Sequence, residues 1–215
     1  MNRTTRKLTM LGMLGALAFL AVALIRIPVV QFLKYEPKDV VITIGGFIFG
    51  PLEAALLSVV VSLVEMVTIS DTGIIGCVMN ILSTCAFACT ASLIYKRNHT
   101  LKGAVIGLAV GCALTTAVMI LWNYLITPLY MGLPRESVAA MLVPVFLPFN
   151  LLKGVLNGGV TLLVYKPLVN ALRRAGLLES STGKGSGRYN VGLILVALAV
   201  IATCVLLVLV WQGKI

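Results

Sequence analysis

Long uncharged stretches recur along this chain, and they restrict its fold more than any other feature. The last of them runs from Val191 to Trp211. Others of similar length begin near Leu8, Leu52, Ile74, Leu101 and Pro148. A hydrocarbon core about 30 Å thick is crossed by roughly 20 helical residues, so each stretch is close to the length that spans a bilayer. Because 60% of the 215 residues are hydrophobic and 11% are charged, we predict a polytopic membrane protein rather than a soluble domain.

The apolar stretches predict an all-α integral membrane protein with three parts. Residues 1–175 are expected to form a six-helix transmembrane bundle, residues 176–190 a flexible cytoplasmic linker, and residues 191–211 an additional C-terminal transmembrane helix. The linker prediction rests on a composition rich in glycine and serine. The predicted bundle segments are Leu8–Ile25, the short apolar run Val40–Phe49, Leu52–Ile69, Ile74–Tyr95, a helix from Leu101 to just before Pro128, and Pro148–Val169.

Three segments need separate interpretation. The first apolar run, at about 18 residues, is longer than the usual 7–15 of a signal peptide, so it is predicted to be a retained helix. The run Val40–Phe49 is marginal for a full crossing and is expected to be partly buried by protein. Arg26–Lys38 is predicted to be a polar loop, and Tyr130–Pro144 a longer loop with a short helical turn over Arg135–Met141.

Lys and Arg are distributed unevenly between the two sides of this bundle. Cytoplasmic loops of membrane proteins collect these residues, and a cytoplasmic N-terminus places eleven of them inside and five outside. The inner set is Arg3, Arg6, Lys7, Lys96, Arg97, Lys102, Lys166, Arg173, Arg174, Lys184 and Arg188, and the outer set is Arg26, Lys34, Lys38, Arg135 and Lys214. We therefore expect a cytoplasmic N-terminus.

Several function classes find no support in the sequence. The net charge of +10 is explained by the inner loops, and no basic face recurs at helical spacing to bind nucleic acid. The one histidine, His99, lies in an inner loop, and no hydrolase or metalloprotease motif is present. The five cysteines lie in apolar runs without the partners of a zinc site. We predict neither an enzyme nor a resident metal or cofactor.

Polar side chains within the apolar helices gather in the outward half of the bundle. Asn150, Lys153 and Asn157 follow at i, i+3 and i+7 and share one helix face. An ammonium facing lipid is costly, so Lys153 is predicted to face the bundle interior or a wet cavity. Further polar candidates in this half are Glu65, Asn80, Asn123, Thr127 and Tyr130.

Two of these candidates have alternative roles that stay open. Asn80 is equally consistent with a hydrogen bond to a neighbouring helix and with ligand contact. Glu65 is either a solvated helix end or a partner of Lys153. Amides pair with both donors and acceptors, whereas an ammonium only donates. Several amides, one ammonium and nearby aromatics therefore predict a site for a neutral ligand, such as an aromatic heterocycle with a polyol tail.

Three short segments resemble a known transporter family. They are GFIFGP at Gly46–Pro51, NYLITPLYMG at Asn123–Gly132 and PFNLLKG at Pro148–Gly154. Together with the short second apolar run, they are similar to the substrate-binding S component of energy-coupling factor (ECF) transporters, specifically the riboflavin-binding type. The similarity covers about Thr9–Leu172 and leaves the seventh helix outside it.

The resemblance implies a six-helix vitamin-binding protein of the bacterial plasma membrane. Riboflavin would be the transported ligand, bound near the outer face. The partners would be a transmembrane coupling subunit and two cytoplasmic ATPases. The family pattern, together with the polar pattern above, predicts ligand-binding residues Asn123, Tyr130, Asn150, Lys153, Tyr35, Asn80 and Thr127. It also matches Gly12 and Ala16, a small-residue face of the first helix, to the contact with the coupling subunit.

Two other readings of the sequence remain. The first is an S component for another vitamin or precursor, such as folate, pantothenate or a queuosine precursor. The second is a self-sufficient secondary transporter, a class that favours inverted repeats with paired broken helices. No second copy of the TPLY or PFN segments is present in the sequence.

Overall fold

The computed structural model describes residues 3–30, 33–70, 72–174 and 191–213, and helices account for most of them. The helices are α1 (Arg3–Leu24), α2 (Lys38–Phe49), α3 (Pro51–Thr68), α4 (Gly73–Thr84), α5 (Thr90–Arg97), α6 (Leu101–Leu125), α7 (Thr127–Met131), α8 (Arg135–Met141), α9 (Leu147–Arg174) and α10 (Val191–Trp211). Two π-helical turns, Cys85–Cys89 and Leu142–Phe146, make α4–α5 and α8–α9 continuous. The predicted linker, residues 176–190, lies outside the described residues.

Six helical stretches in the described part of the chain are long and apolar enough to cross a membrane. They are Thr4–Leu24, Pro51–Thr68, Gly73–Arg97, Leu101–Leu125, Arg135–Leu172 and Ile194–Trp211. These stretches confirm the prediction of an all-α membrane bundle with an additional C-terminal helix. The helix α2 is too short to belong to this set, as its sequence had indicated.

The segment after α1 forms a β-hairpin rather than the predicted loop. Strand β1 (Ile27–Val30) pairs antiparallel with β2 (Leu33–Tyr35), with Ile27 opposite Tyr35 and an irregular register after Pro28. An isolated two-stranded hairpin is only marginally stable in water. Its order therefore depends on the helices that it contacts.

The short helix α2 is enclosed by the other helices. Ten of its twelve residues are buried, including the charged Lys38 and Asp39 at its first turn. Its two glycines allow this close packing, because a Cβ at Gly46 would lie 2.9 Å from the Cβ of Ala54 and 3.0 Å from that of Ser92. The expectation that this segment is buried by protein is confirmed.

The predicted loop Tyr130–Pro144 is wrong at its two ends, where Tyr130 and Met131 belong to α7 and residues 142–144 form a π-helical turn. The short helix predicted over Arg135–Met141 is present as α8, and it runs through a π-helical turn directly into α9. Pro144 in that turn has no backbone N–H and would disrupt a regular α-helix, whereas the wider π turn accommodates it. The membrane helix that was predicted to start at Pro148 therefore begins before that residue.

Helix α6 approaches the α4–α5 stretch along a row of glycines. Gly103, Gly107 and Gly111 repeat at four-residue intervals, the small-residue spacing that lets membrane helices pack closely. A Cβ at Gly107 would lie 2.7 Å from the carbonyl oxygen of Ala91, and one at Gly111 would lie 2.8 Å from that of Phe87. Since backbone atoms cannot turn away as a side chain can, this contact tolerates no larger residue.

We predict that Gly107→Ala destabilises the bundle by about 1–3 kcal/mol, because the added methyl forces α6 away from Ala91. The midpoint of unfolding in detergent measures this effect. Gly12→Ala on α1 is the matched control, since a Cβ there meets no atom within 4 Å. Equal stability of the two variants would show that α6 is not in close contact with α5.

Candidate functional site

A cavity of about 240 Å³ lies among the helix ends on the side of the β-hairpin. Its size is just below the roughly 300–1,000 Å³ of small-molecule sites. The hairpin, the turn between α3 and α4, and helices α3, α4, α6, α7 and α9 all contribute to its walls. The cavity therefore forms where elements distant in sequence converge.

Six of the seven predicted ligand-binding residues line this cavity. They are Asn80, Asn123, Thr127, Tyr130, Asn150 and Lys153. Two further aromatic side chains, Trp122 and Phe149, line the cavity beside Tyr130. The cavity thus combines ring faces with side-chain amides, which is the chemistry that the sequence predicted. Contact of these residues with a ligand stays a prediction.

The amides on α6 and α9 are held in place by hydrogen bonds to residues four positions away in the chain. Asn123 donates to the Met119 carbonyl at 2.7 Å and accepts from the Thr127 hydroxyl at 2.9 Å. Asn150 donates to the Phe146 carbonyl at 2.8 Å. Because an amide group has two N–H donors and an acceptor oxygen with two lone pairs, both side chains keep hydrogen-bonding capacity for a ligand.

A network of buried charges lies beside the amides. Arg26 contacts Glu36 and Glu65, each at 3.1 Å. Lys38 at the start of α2 contacts Glu36 at 3.2 Å and also pairs with Glu65. The Asn80 amide donates to Glu65 at 3.3 Å. Asn80 thus bonds a neighbouring helix and lines the cavity, so both of its alternative roles stay possible.

Glu65 is neither a solvated helix end nor the partner of Lys153. Its side chain is 2% exposed and pairs with Arg26 and Lys38. The partner of Lys153 is Asp39, at 3.2 Å, with side chains 12% and 2% exposed. Lys153 therefore faces the bundle interior, as the cost of an ammonium in lipid predicts.

Asp39 connects this ion pair to α4 and α9. One carboxylate oxygen accepts from the Thr84 hydroxyl at 2.6 Å, and the other accepts from the Asn157 amide at 3.2 Å. Asn157 in turn accepts from the Tyr35 hydroxyl at 2.9 Å. A buried carboxylate needs such partners to offset its loss of hydration.

Tyr35 differs from the other predicted residues, because it is absent from the cavity lining. Its ring is buried in an apolar cluster with Val29 and residues of α9 and α10. Burial raises the pKa of the Tyr35 phenol, and the nearby Asp39 carboxylate raises this pKa further. The hydroxyl therefore stays neutral and donates to Asn157. Since Tyr35 is absent from the cavity lining, this hydrogen bond lies behind the site rather than inside it.

The charges of this network balance. Three cations, Arg26, Lys38 and Lys153, pair with three carboxylates, Glu36, Asp39 and Glu65. An anionic ligand would have to compete with these carboxylates for the three cations. The arrangement therefore suits a neutral ligand with hydrogen-bonding groups, one that stacks against the aromatic walls.

Sequence reasoning missed most of this network. Arg26, Glu36, Lys38 and Asp39 lie in or beside a segment interpreted as a polar loop, where charged residues are ordinarily solvated. Alternating charges directly before an apolar run were the available signal. That signal could indicate buried ion pairs only once α2 was known to begin inside the bundle.

The chain matches known proteins over most of its length. The family model for the ECF transporter substrate-specific component matches residues 6–165. The chain is an S component of the ECF transporter family. It is a transport protein rather than an enzyme, and a multi-pass membrane protein of bacterial type.

Relatives and a solved structure agree with this assignment. The riboflavin transporter RibU of Staphylococcus aureus is 28% identical over 179 residues, which cover 79% of this chain and 93% of the relative. The riboflavin transporter FmnP of Bacillus subtilis is 28% identical over 79% of this chain and 97% of its own length. A solved S component of a bacterial ECF transporter superposes with a TM-score of 0.68 at 28% identity, over 80% of this chain and all of its own.

The S component presents the predicted small-residue face of α1 to its surroundings. Gly12 and Ala16 are both exposed, whereas Leu11, Leu14 and Ala18 on the other side of the helix are buried. Gly12 also has open space around the position of a Cβ. The face is therefore available to another helix and is not part of the packing within the described bundle.

We predict that Lys153→Met lowers the stability of the ligand-free S component by about 3–5 kcal/mol, because it leaves the buried Asp39 without its nearest cation. The double variant Asp39→Asn with Lys153→Met removes both charges and is expected to regain most of that loss. Unfolding in detergent measures both changes. Lys102→Met, on the exposed start of α6, is the control. A double variant no more stable than Lys153→Met alone would contradict the pairing.

Proposed function

We propose that this S component captures riboflavin and delivers it across the membrane with an ATP-driven energy-coupling module. The observation that carries the proposal is agreement among relatives, since riboflavin transporters match 78–79% of this chain over 85–97% of their own lengths. A riboflavin-sized neutral molecule with a planar ring system and a hydroxylated tail also fits the chemistry of the cavity. Aromatic walls suit the ring, and amides suit the polar groups.

The proposed orientation places the hairpin and the cavity at the outer face. The distribution of Lys and Arg supports it, because the opposite end of the bundle carries the N-terminus and the basic residues around Lys96 and Arg97. Riboflavin then enters from outside the cell. The N-terminus lies in the cytoplasm of a bacterial cell, on the side where ATP is available.

The proposed partners are a transmembrane coupling subunit and two cytoplasmic ATPases. Exposure of Gly12 and Ala16 supports the α1 face as the contact with the coupling subunit. Small residues gain nothing from lipid contact, but they allow close approach of another helix. No residue of α1 lines the cavity, so docking and ligand binding use separate surfaces.

An S component for another vitamin is the competing proposal. Folate and pantothenate carry carboxylates, whereas the cations Arg26, Lys38 and Lys153 at the site already contact carboxylates of the protein. This charge balance favours the uncharged vitamin.

We predict that the purified protein binds riboflavin without ATP, with one ligand per chain and quenched flavin fluorescence. Asn123→Leu and Asn150→Leu are each expected to raise the dissociation constant about threefold to tenfold, the worth of one neutral hydrogen bond. Asn170→Leu, exposed at the far end of α9, is the control. If another vitamin bound saturably and riboflavin did not bind, that vitamin would be the ligand instead.

We predict a split phenotype for Gly12→Leu and Ala16→Leu. Riboflavin binding by the isolated protein is expected to stay normal, because no residue of α1 lines the cavity. Uptake in cells and co-purification with the ATPases are expected to be lost, because a large side chain blocks close approach of the coupling subunit. Met13→Leu, on a neighbouring exposed position, is the control. Joint loss of binding and uptake would place this face within the bundle packing.

A further inference from the structure

Helix α10 lies outside the part of the chain that the family model matches, which ends at residue 165. The solved S component is covered completely by 80% of this chain. The six-helix bundle of the family is therefore complete without α10. The contacts that α10 makes with this bundle indicate what the additional helix does.

One face of α10 packs closely along α9. Gly159 of α9 makes the approach possible, because a Cβ there would lie 3.3 Å from Cγ1 of Ile201 and 3.8 Å from the carbonyl oxygen of Ala197. Ala197, Cys204 and Val208 are buried in this contact. The spacing of these three residues, at intervals of seven and four, marks a single helix face. The opposite face is apolar and exposed.

The same face of α10 also contacts the β-hairpin. Cys204 and Val208 share an apolar cluster with Val29 and Tyr35 of the two strands and with α9. Near the end of the chain, the Gln212 amide donates to the Pro28 carbonyl. The hairpin is thus held between α9 and α10, with apolar contacts along the strands and a hydrogen bond at Pro28.

The hairpin, which packs between α9 and α10, forms part of the cavity wall. Leu33, Lys34 and Glu36 line the cavity on its side, and Phe149 both lines the cavity and belongs to the cluster that α10 completes. A displacement of the hairpin would open this wall. It would also disturb the Tyr35–Asn157 hydrogen bond behind the buried ion pair.

We propose that α10 is a strap that positions the β-hairpin over the ligand site and slows ligand release. The residues that act are Val208 and Gln212 on α10, with Gly159 on α9 as the point of close approach. They are positioning residues, since none of them lines the cavity. The effect on ligand release rests on the proposed function, whereas the effect on the hairpin itself does not.

Two measurements on the full-length protein test the strap. The first is amide hydrogen exchange of residues 27–35 in the ligand-free protein, which requires no knowledge of the ligand. The second is the dissociation rate of riboflavin, followed by the return of flavin fluorescence. The variant Val208→Ala with Gln212→Ala removes two methyl groups and one hydrogen bond. Val205→Ala, on the exposed face of α10, is the matched control.

We expect hairpin exchange and riboflavin dissociation to accelerate about tenfold in the double variant and to stay unchanged in Val205→Ala. A second pair tests the same contact by another route. Gly159→Val is expected to push α10 away and accelerate both rates, and adding Ile201→Ala is expected to restore them by making room. This rescue distinguishes the strap from a general loss of stability.

Unchanged hairpin exchange in both the Val208→Ala with Gln212→Ala variant and the Gly159→Val variant would overturn the proposal. So would equal acceleration in the hairpin and in the distant helix α5, because α10 would then only stabilise the whole bundle. Faster hairpin exchange with unchanged riboflavin dissociation would overturn the role in ligand release. If riboflavin fails to bind even the unaltered protein, the proposed function fails, while hydrogen exchange still decides whether α10 positions the hairpin.

Discussion

The contact between Asp39 and Lys153 joins α2 to α9 and is the interaction on which the site depends. Asp39 lies at the buried start of α2, and Lys153 lies on α9, which separates the cavity from the C-terminal helix. Through Thr84 and Asn157, the same carboxylate also reaches α4 and, by way of Tyr35, the hairpin. Its charge has to be neutralised where it stands, since water is excluded there. The positions of four separate elements are therefore coupled through one carboxylate.

The sequence predicted the membrane helices well because their signal is local. A run of apolar residues reports its own burial in lipid, and α10 was predicted with the bounds that the structure shows, Val191–Trp211. The hairpin and the π-helical turn around Pro144 were missed for a physical reason. Both depend on contacts with distant segments, or on how a proline is accommodated, rather than on the composition of the segment itself.

The candidate site shows the same division. The amides Asn123 and Asn150 could be predicted as cavity residues, because a polar side chain within an apolar helix needs a polar environment. The pairing of Lys153 with Asp39 could not be predicted, since it depends on where the short helix α2 begins in space. Tyr35 was expected at the ligand, yet its ring is buried against α9 and α10 and does not line the cavity. A tyrosine in a polar segment carries no sign of which way its ring faces.

The length of α2 sets the depth of the cavity. Twelve helical residues extend about 18 Å at 1.5 Å each, whereas the hydrocarbon core is about 30 Å thick. The helix is therefore about 12 Å shorter than that core, and its buried first turn lies beside the hairpin and the site. One additional turn before Lys38 would extend α2 by about 5.4 Å toward the hairpin. The polar cavity thus has room because α2 begins within the bundle.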